Sequence, residues 1–386
     1  MSGMKKSASG MENEMRYNVR KVMALTLAVC ISTGAAGCGS SKKKDKDTEN
    51  IFVIGQLASE TGQYSQMGNS VYGGALMAVN EINDDGGVIV GNKTYKLKLI
   101  EIDDESNAEI AKSGYSRLKD KDINAFIAPV ADELCQKIEE KTNEDNIFTI
   151  IPSSTSDNTG TFDNTFKICL SNSQEGIEAA EHGFYNMNSR KGAVLYSENE
   201  VEKAEAFIDE FYNCGGNIVA REVYSDDLQS LEANINSIKA SGAEVVYIPA
   251  DFETASNIIQ IMDADKMGIS VIGSSQWEGI TPGTYTGLNR IEYLNPYGDK
   301  RTEYENTYEV TYGRMSDLYS AQGYDAVYVI RAAMEEAENI DSDLQICAMD
   351  DINIDGATGE NISFTDEGYS KRTVEFKSIQ IGGINE

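Results

Sequence analysis

The sequence predicts an α/β protein built as two doubly wound, parallel-sheet lobes joined by a multi-strand hinge. Three observations carry this. Residues 51–88 open with an apolar run of strand length, pass through a loop spaced by Gly62 and Gly68, and continue into a helix-length stretch. There Ala75, Met77, Ala78, Val79 and Ile82 make an apolar face that ends at Gly86 and Gly87, which is half of a βαβ unit. Strand-length and helix-length runs then alternate to about residue 170 and restart in a second series of similar size. After a break over 280–300, rich in Gly, Pro and Tyr, two further helices and a strand-like C-terminus follow. The chain must therefore return to the first lobe and cross again, and several crossings make a hinge.

The elements follow in order. A period-two pattern predicts a strand over 95–103. A helix over 108–118 leads to a buried strand over 125–128, closed by Pro129. A helix over 132–142 leads to a strand over 147–151, closed by Pro152, and 166–170 is again strand-like. In the second series, helices are expected over 174–185, 200–212, 228–239 and 253–267. They alternate with strands over 193–196, 218–224, 245–248 and 270–272. Helices over 303–312 and 321–337 return to the first lobe, and 362–364 and 374–381 read as strands. The first lobe is assigned 51–171 and 298–355, and the second 172–297 and 356–386.

Charge and composition exclude some functions. The chain of 386 residues carries a formal charge of −30, so phosphate-rich nucleic acid would be repelled. Solubility is the plainer meaning of that acidity. The glycine spacing is neither G-x-G-x-x-G nor a phosphate-binding P-loop, so no nucleotide cofactor is implied. Cys135, Cys169, Cys214 and Cys347 show no C-x-x-C spacing, and the sole histidine, His182, lies in a helical stretch. A zinc site and a histidine-based catalytic pair are therefore not expected, and the chain does not read as an enzyme.

The N-terminus reads as an export signal over 1–38. Arg16, Arg20 and Lys21 precede a short apolar run over 22–32, well short of the ~20 residues that span a membrane. Ala35-Ala36-Gly37-Cys38 resembles a bacterial lipobox, which implies lipidation of Cys38, although an ordinary cleaved signal with an incidental cysteine is the alternative. Residues 39–50 contain no apolar side chain before Asn50 and read as a flexible tether.

The segment Thr61-Gly62, Gly68, Gly74-Ala75, Met77-Ala78-Val79-Asn80-Glu81-Ile82-Asn83 and Gly86-Gly87-Val88 resembles the first βα unit of the branched-chain amino acid-binding proteins. These are type I periplasmic substrate-binding proteins of ABC transporters. The likeness continues through Asp103-Asp104, residues 150–155, Ile272-Gly273-Ser274-Ser275-Gln276-Trp277, Gly323-Tyr324-Asp325-Ala326-Val327, Asp355-Gly356-Ala357-Thr358-Gly359 and Ile362-Ser363-Phe364. It implies a lipid-anchored, extracytoplasmic monomer that closes on a small amino acid-like ligand and passes it to permease subunits, without a cofactor. A ligand-sensing lipoprotein that docks a signalling partner is the alternative.

The resemblance also implies a site. Ser153, Ser154 and Thr155 match the loop that holds the ligand head group, though a helix-capping run would look the same. Tyr64 and Met67 supply wall from the first glycine loop, and Tyr196 ends a strand facing the gap. Trp277, the sole tryptophan, is expected on the ligand side. Departures from the family pattern concern charge. Asp132 and Glu133 stand where serines meet an α-carboxylate, and Val201-Glu202 replace a tyrosine-glycine pair. Ser275 replaces the acid that meets an ammonium, and Asp251-Phe252 replace an aromatic pair. Two like charges ~4 Å apart repel by about 4 kcal/mol at an effective dielectric near 20, roughly a thousandfold in affinity. With Glu278 nearby, the cleft reads as acidic and suited to a cationic or uncharged hydrogen-bonding ligand. The plainer account is that some of these acids are solvated rim residues.

Overall fold

The computed structural model describes residues 50–225, 228–277, 285–296 and 301–379. The first lobe is a six-stranded sheet in the order β2-β3-β1-β4-β5-β6. Its strands are β1 (Asn50–Ala58), β2 (Val88–Val90), β3 (Lys93–Asp103), β4 (Ala125–Ile127), β5 (Phe148–Ile151) and β6 (Thr165–Lys167). All pairings are parallel except the β2–β3 hairpin, with Ile54 opposite both Leu99 and Ala125. Because alternate strand residues face opposite sides, the sheet feeds two cores. Ile54, Ala125, Ile127 and Ile150 pack under one helix layer, and Leu57, Phe126 and Ile151 under the other.

The second lobe repeats the plan with β7 (Lys191–Tyr196), β8 (Asn217–Val223), β9 (Val245–Ile248), β10 (Ser270–Gly273) and β11 (Arg290–Asn295). The order β8-β7-β9-β10-β11 matches β3-β1-β4-β5-β6 of the first lobe, and β15 (Glu375–Ser378) adds an antiparallel edge on β11. β11 lies inside the stretch read as a break in rhythm. Its Ile291 and Leu294 are buried, but so are Glu292 and Asn295, so it shows no clean alternation, and the surrounding Gly, Pro and Tyr hid it further.

Helices cover the sheets. The first lobe carries α1 (Ser65–Asp84), α2 (Ala108–Lys119) and α3 (Asp132–Glu144), and the second carries α4 (Asn172–Glu181), α5 (Val201–Asn213), α6 (Leu228–Ser241) and α7 (Phe252–Ala264). The returning α8 (Arg301–Tyr312), α9 (Leu318–Glu336) and α10 (Ser342–Ala348) pack on the first lobe, α10 being absent from the expected elements. Residues 182–186 extend α4 as a single π-turn, where His182 stacks on Phe376 at 3.7 Å and bonds Glu292 at 2.6 Å. That histidine ties α4 to the edge of the second sheet.

Between β1 and β15 the chain passes from lobe to lobe three times: after β6, after β11 and after β14 (Ser370–Lys371). Arg372 fastens the first crossing to the third, donating to Thr358 Oγ1 at 2.6 Å, to Ser370 Oγ at 3.3 Å and to the carbonyl of Ile168. The expected division at 355/356 falls too early. β12 (Ile354–Gly356) pairs with β13 (Gly359–Phe364), whose Ile362 and Phe364 stand in the first lobe's core, so only β15 joins the second sheet. The four cysteines of the described residues are free thiols, Cys135 and Cys169 buried.

α1 and α9 meet through glycine. A Cβ on Gly74 would lie 1.8 Å from the carbonyl oxygen of Ser320, and one on Gly323 would lie 2.0 Å from that of Val71. Backbone cannot yield as a flexible side chain does. Gly74→Ala and Gly323→Ala are therefore each expected to cost about 2–3 kcal/mol in urea unfolding. Gly86→Ala meets nothing within 4 Å and serves as the control for backbone strain alone, since its φ is +112°.

Candidate functional site

In a doubly wound sheet, ligands bind beyond the carboxyl ends of the strands, where the winding direction reverses. Here that point lies between β1 and β4. A cavity of about 230 Å³ sits there, somewhat below the ~300–1,000 Å³ usual for ligand pockets, which suits a small solute. Both lobes wall it. The first contributes Tyr64 and Met67 after β1, residues 130–133 after β4, and Ser153 and Thr155 after β5. The second contributes Glu175, Lys203, Ser275 and Gln276, and the start of α9 adds Leu318, Tyr319 and Gln322.

The first-lobe wall is held by short polar bonds. Asp132, in the opening turn of α3, accepts from Ser154 Oγ at 2.6 Å and from the Ser156 N–H at 3.3 Å. Ser153 Oγ donates to the Val130 carbonyl at 3.1 Å. The Tyr64 hydroxyl donates to Glu133 at 2.5 Å, and that bond, with some burial, pushes the phenol up to about 12. The Cys169 thiol donates to the Ser154 carbonyl at 3.2 Å, and burial raises it to about 11. It is therefore a neutral wall group at physiological pH.

The second-lobe wall centres on a buried ion pair. Lys203 Nζ lies 3.0 Å from Glu175 Oε1, and the two residues are 8% and 4% exposed. Glu175 also accepts from Tyr247 at 3.3 Å and from Ser275 at 2.8 Å, so both its oxygens are engaged. Across the gap, Glu202 on α5 accepts from Ser156 Oγ at 3.2 Å and from Asn158 Nδ2 at 2.9 Å on the first lobe. Asn172, on the first crossing, adds a bond to it at 2.7 Å. These contacts hold the lobes together over the cavity.

A family model described as periplasmic binding protein matches residues 52–376. The chain belongs to the periplasmic binding protein family. A relative from Brucella melitensis, named a Leu/Ile/Val-binding protein homolog, is 24% identical over 75% of this chain and 80% of its own. A putative branched-chain amino acid ABC transporter protein from Rhodospirillum rubrum superposes with a TM-score of 0.74 at 17% identity, covering 86% of this chain and 98% of that one. A branched-chain amino acid transporter substrate-binding protein from Streptococcus pneumoniae, solved with isoleucine, gives 0.66 at 20% identity over 87% and 98%. The resemblance read from the motifs is borne out, and the fold is that of the type I periplasmic binding proteins.

In this periplasmic binding protein the cavity gathers Tyr64, Met67, Asp132, Glu133, Ser153, Thr155 and Ser275 from the expected residues. Ser154 stands behind it, bonded to Asp132 and Thr159. Tyr196 is buried in the second-lobe core, where its hydroxyl meets Arg221 at 3.4 Å. Asp251 caps α7 through the Thr254 N–H at 2.9 Å, and Phe252 is 41% exposed; neither lines the cavity. Trp277 is a correction: it is 0% exposed, packed in the second-lobe core, with its indole N–H donating to the Ala250 carbonyl at 2.9 Å. The ring lies across Gly273 at the end of β10, where a Cβ would come within 2.1 Å, and so turns inward. Glu278 and Cys38 lie outside the described residues. Sequence reasoning missed Glu175, Lys203 and Gln322. A lysine amid the acids of 198–205 was the available signal for one of them.

Two measurements check the placement of Trp277. Its emission is expected to be blue-shifted and poorly quenched by acrylamide. Trp277→Phe is expected to lower stability by about 1–3 kcal/mol in urea unfolding, from lost packing and the lost indole hydrogen bond to the Ala250 carbonyl, which then keeps only Ser274 Oγ, with ligand affinity unchanged. A loss of affinity larger than the loss of stability would return Trp277 to the ligand side.

Proposed function

We propose that this protein captures a small polar solute, an amino acid or a related amide or amine, outside the cytoplasm and delivers it to the permease of an ABC importer. The observation that carries this is the cavity walled by both lobes at the switch point of the first sheet. A solute there touches both lobes at once, so its binding energy favours the closed arrangement that Glu202 already bridges. The names of the Brucella and pneumococcal relatives point to amino acids as the ligand class.

Charge narrows the class. Glu175 is matched by Lys203, which leaves Asp132 and Glu133 as acids without a basic partner among the described residues of the cavity wall. A solute that brings an ammonium or amide N–H to the first lobe answers them. Lipidation at Cys38 and a tether over 39–50 would keep the protein at the outer face of the membrane as a monomer, within reach of permease subunits. Sensing without transport would use the same cavity, but nothing beyond that shared geometry favours it.

Thermal shift against amino acids, amides and polyamines tests the reading. A solute at ~100 times its Kd is expected to add about 2.7 kcal/mol of stability. Asp132→Asn is expected to weaken an amine-bearing solute by roughly tenfold or more. If no member of the panel stabilises the protein, solute capture is wrong.

A further inference from the structure

Two polar groups in the cavity wall have hydrogen-bonding capacity that the protein leaves unused. An ammonium has three N–H donors. Among the described residues Lys203 spends one, on Glu175, yet the side chain is buried and lines the cavity. Glu175 is held from two further directions by Tyr247 and Ser275, so the pair is fixed from behind, leaving the spare donors for the cavity. The second group is Gln322 on α9, 5% exposed and lining the same cavity. Its Oε1 is buried without a partner among the described residues, and a buried amide left unpaired costs about 1–3 kcal/mol.

We propose that Lys203 is the residue that receives the ligand's carboxylate, on the second lobe, while the ligand's amine turns to Asp132 and Glu133 on the first, with Gln322 completing the polar contacts. This deepens the solute-capture reading and rests on it. A carboxylate placed beside Asp132 and Glu133 is repelled, and the same group beside Lys203 gains two charge-assisted bonds. The cavity thus sorts the two ends of an amino acid by lobe. Ser275, standing where the resemblance leads one to expect an acid, does not meet the ligand amine in this arrangement; it positions Glu175 and through it Lys203. A carboxylate at Lys203 also bonds the second lobe to the solute, so closure and charge recognition become one event.

The test titrates the whole protein with each of the twenty common amino acids and with the corresponding α-carboxamides, alongside putrescine and agmatine. The wild-type protein is expected to bind at least one free amino acid about 100-fold more tightly than its carboxamide. Lys203→Met is expected to bring the two within a few fold. Because that variant strands Glu175, the double variant E175Q/K203M, which removes both charges together, is measured beside it and is expected to lose the discrimination too. Gln322→Leu is expected to weaken the acid and the amide alike. The proposal is overturned if acid and amide bind the wild type equally, or if both Lys203 variants keep the preference. Binding of putrescine or agmatine alone would leave solute capture standing and remove the role of Lys203. Binding of nothing in the panel would remove both.

Discussion

Parallel strands impose the constraint on which this molecule depends. Each must be reached by a crossover, so the parallel strands of one sheet all end at the same edge, and the loops at that edge have no ladder to satisfy. Both lobes use one winding order, β3-β1-β4-β5-β6 and β8-β7-β9-β10-β11, and present their carboxyl edges to a common gap. Exposed N–H groups, helix starts and short polar side chains therefore collect in one place from segments as distant as Tyr64 and Gln322. The three crossings make that gap adjustable, and Arg372, which bonds Ile168, Thr358 and Ser370, keeps two of them in step.

Charge then distinguishes the walls. The first lobe offers Asp132 and Glu133, fixed by Ser154 and Tyr64. The second offers a lysine whose own counter-ion is occupied elsewhere. A buried ion pair contributes little to stability once desolvation is counted, so its weight here lies in orientation. Glu175 holds one hydrogen of Lys203, and the side chain stands in the cavity wall. Removing only one member of the pair strands the other, and for that reason binding effects at Lys203 are meaningful only beside the charge-balanced double change.

Much of the framework was legible because it depends on local periodicity. Strand β1, the glycine loop and α1 could be read from apolar spacing, and the restart after 170 reproduced the second winding. β11 was not, since its buried residues do not alternate and it sits among residues that usually mark turns. The site was legible only where it lies in strand-end loops. Tyr64, Asp132 and Ser153 follow a strand in sequence and reach the cavity for that reason. Glu175 and Lys203 belong to two helices whose contact is set by tertiary packing, and no spacing within either helix announces it. Trp277 misled for the opposite reason: it follows a strand end, but the bare backbone of Gly273 gave the ring a bed to fold onto.

Satisfaction of polar groups separates structural from ligand-facing residues even along one helix. Asp325 on α9 is fully buried, and burial holds its carboxyl above the usual carboxylate range against opposing hydrogen bonds. It accepts from the Ala357 and Thr358 N–H groups and from Thr358 Oγ1 at 2.6–2.7 Å, so its capacity is spent on fixing the segment that leads to the third crossing. Gln322 lies one turn earlier, nearly as buried, and its amide oxygen has no partner among the described residues. The helix thus anchors the hinge with one residue and sets the other in the cavity wall. A molecule that satisfies Gln322 and Lys203 together repays a desolvation cost that the closed protein otherwise bears alone. On the proposed reading, selectivity and closure would draw on the same two groups, the oxygen of Gln322 and the spare donors of Lys203.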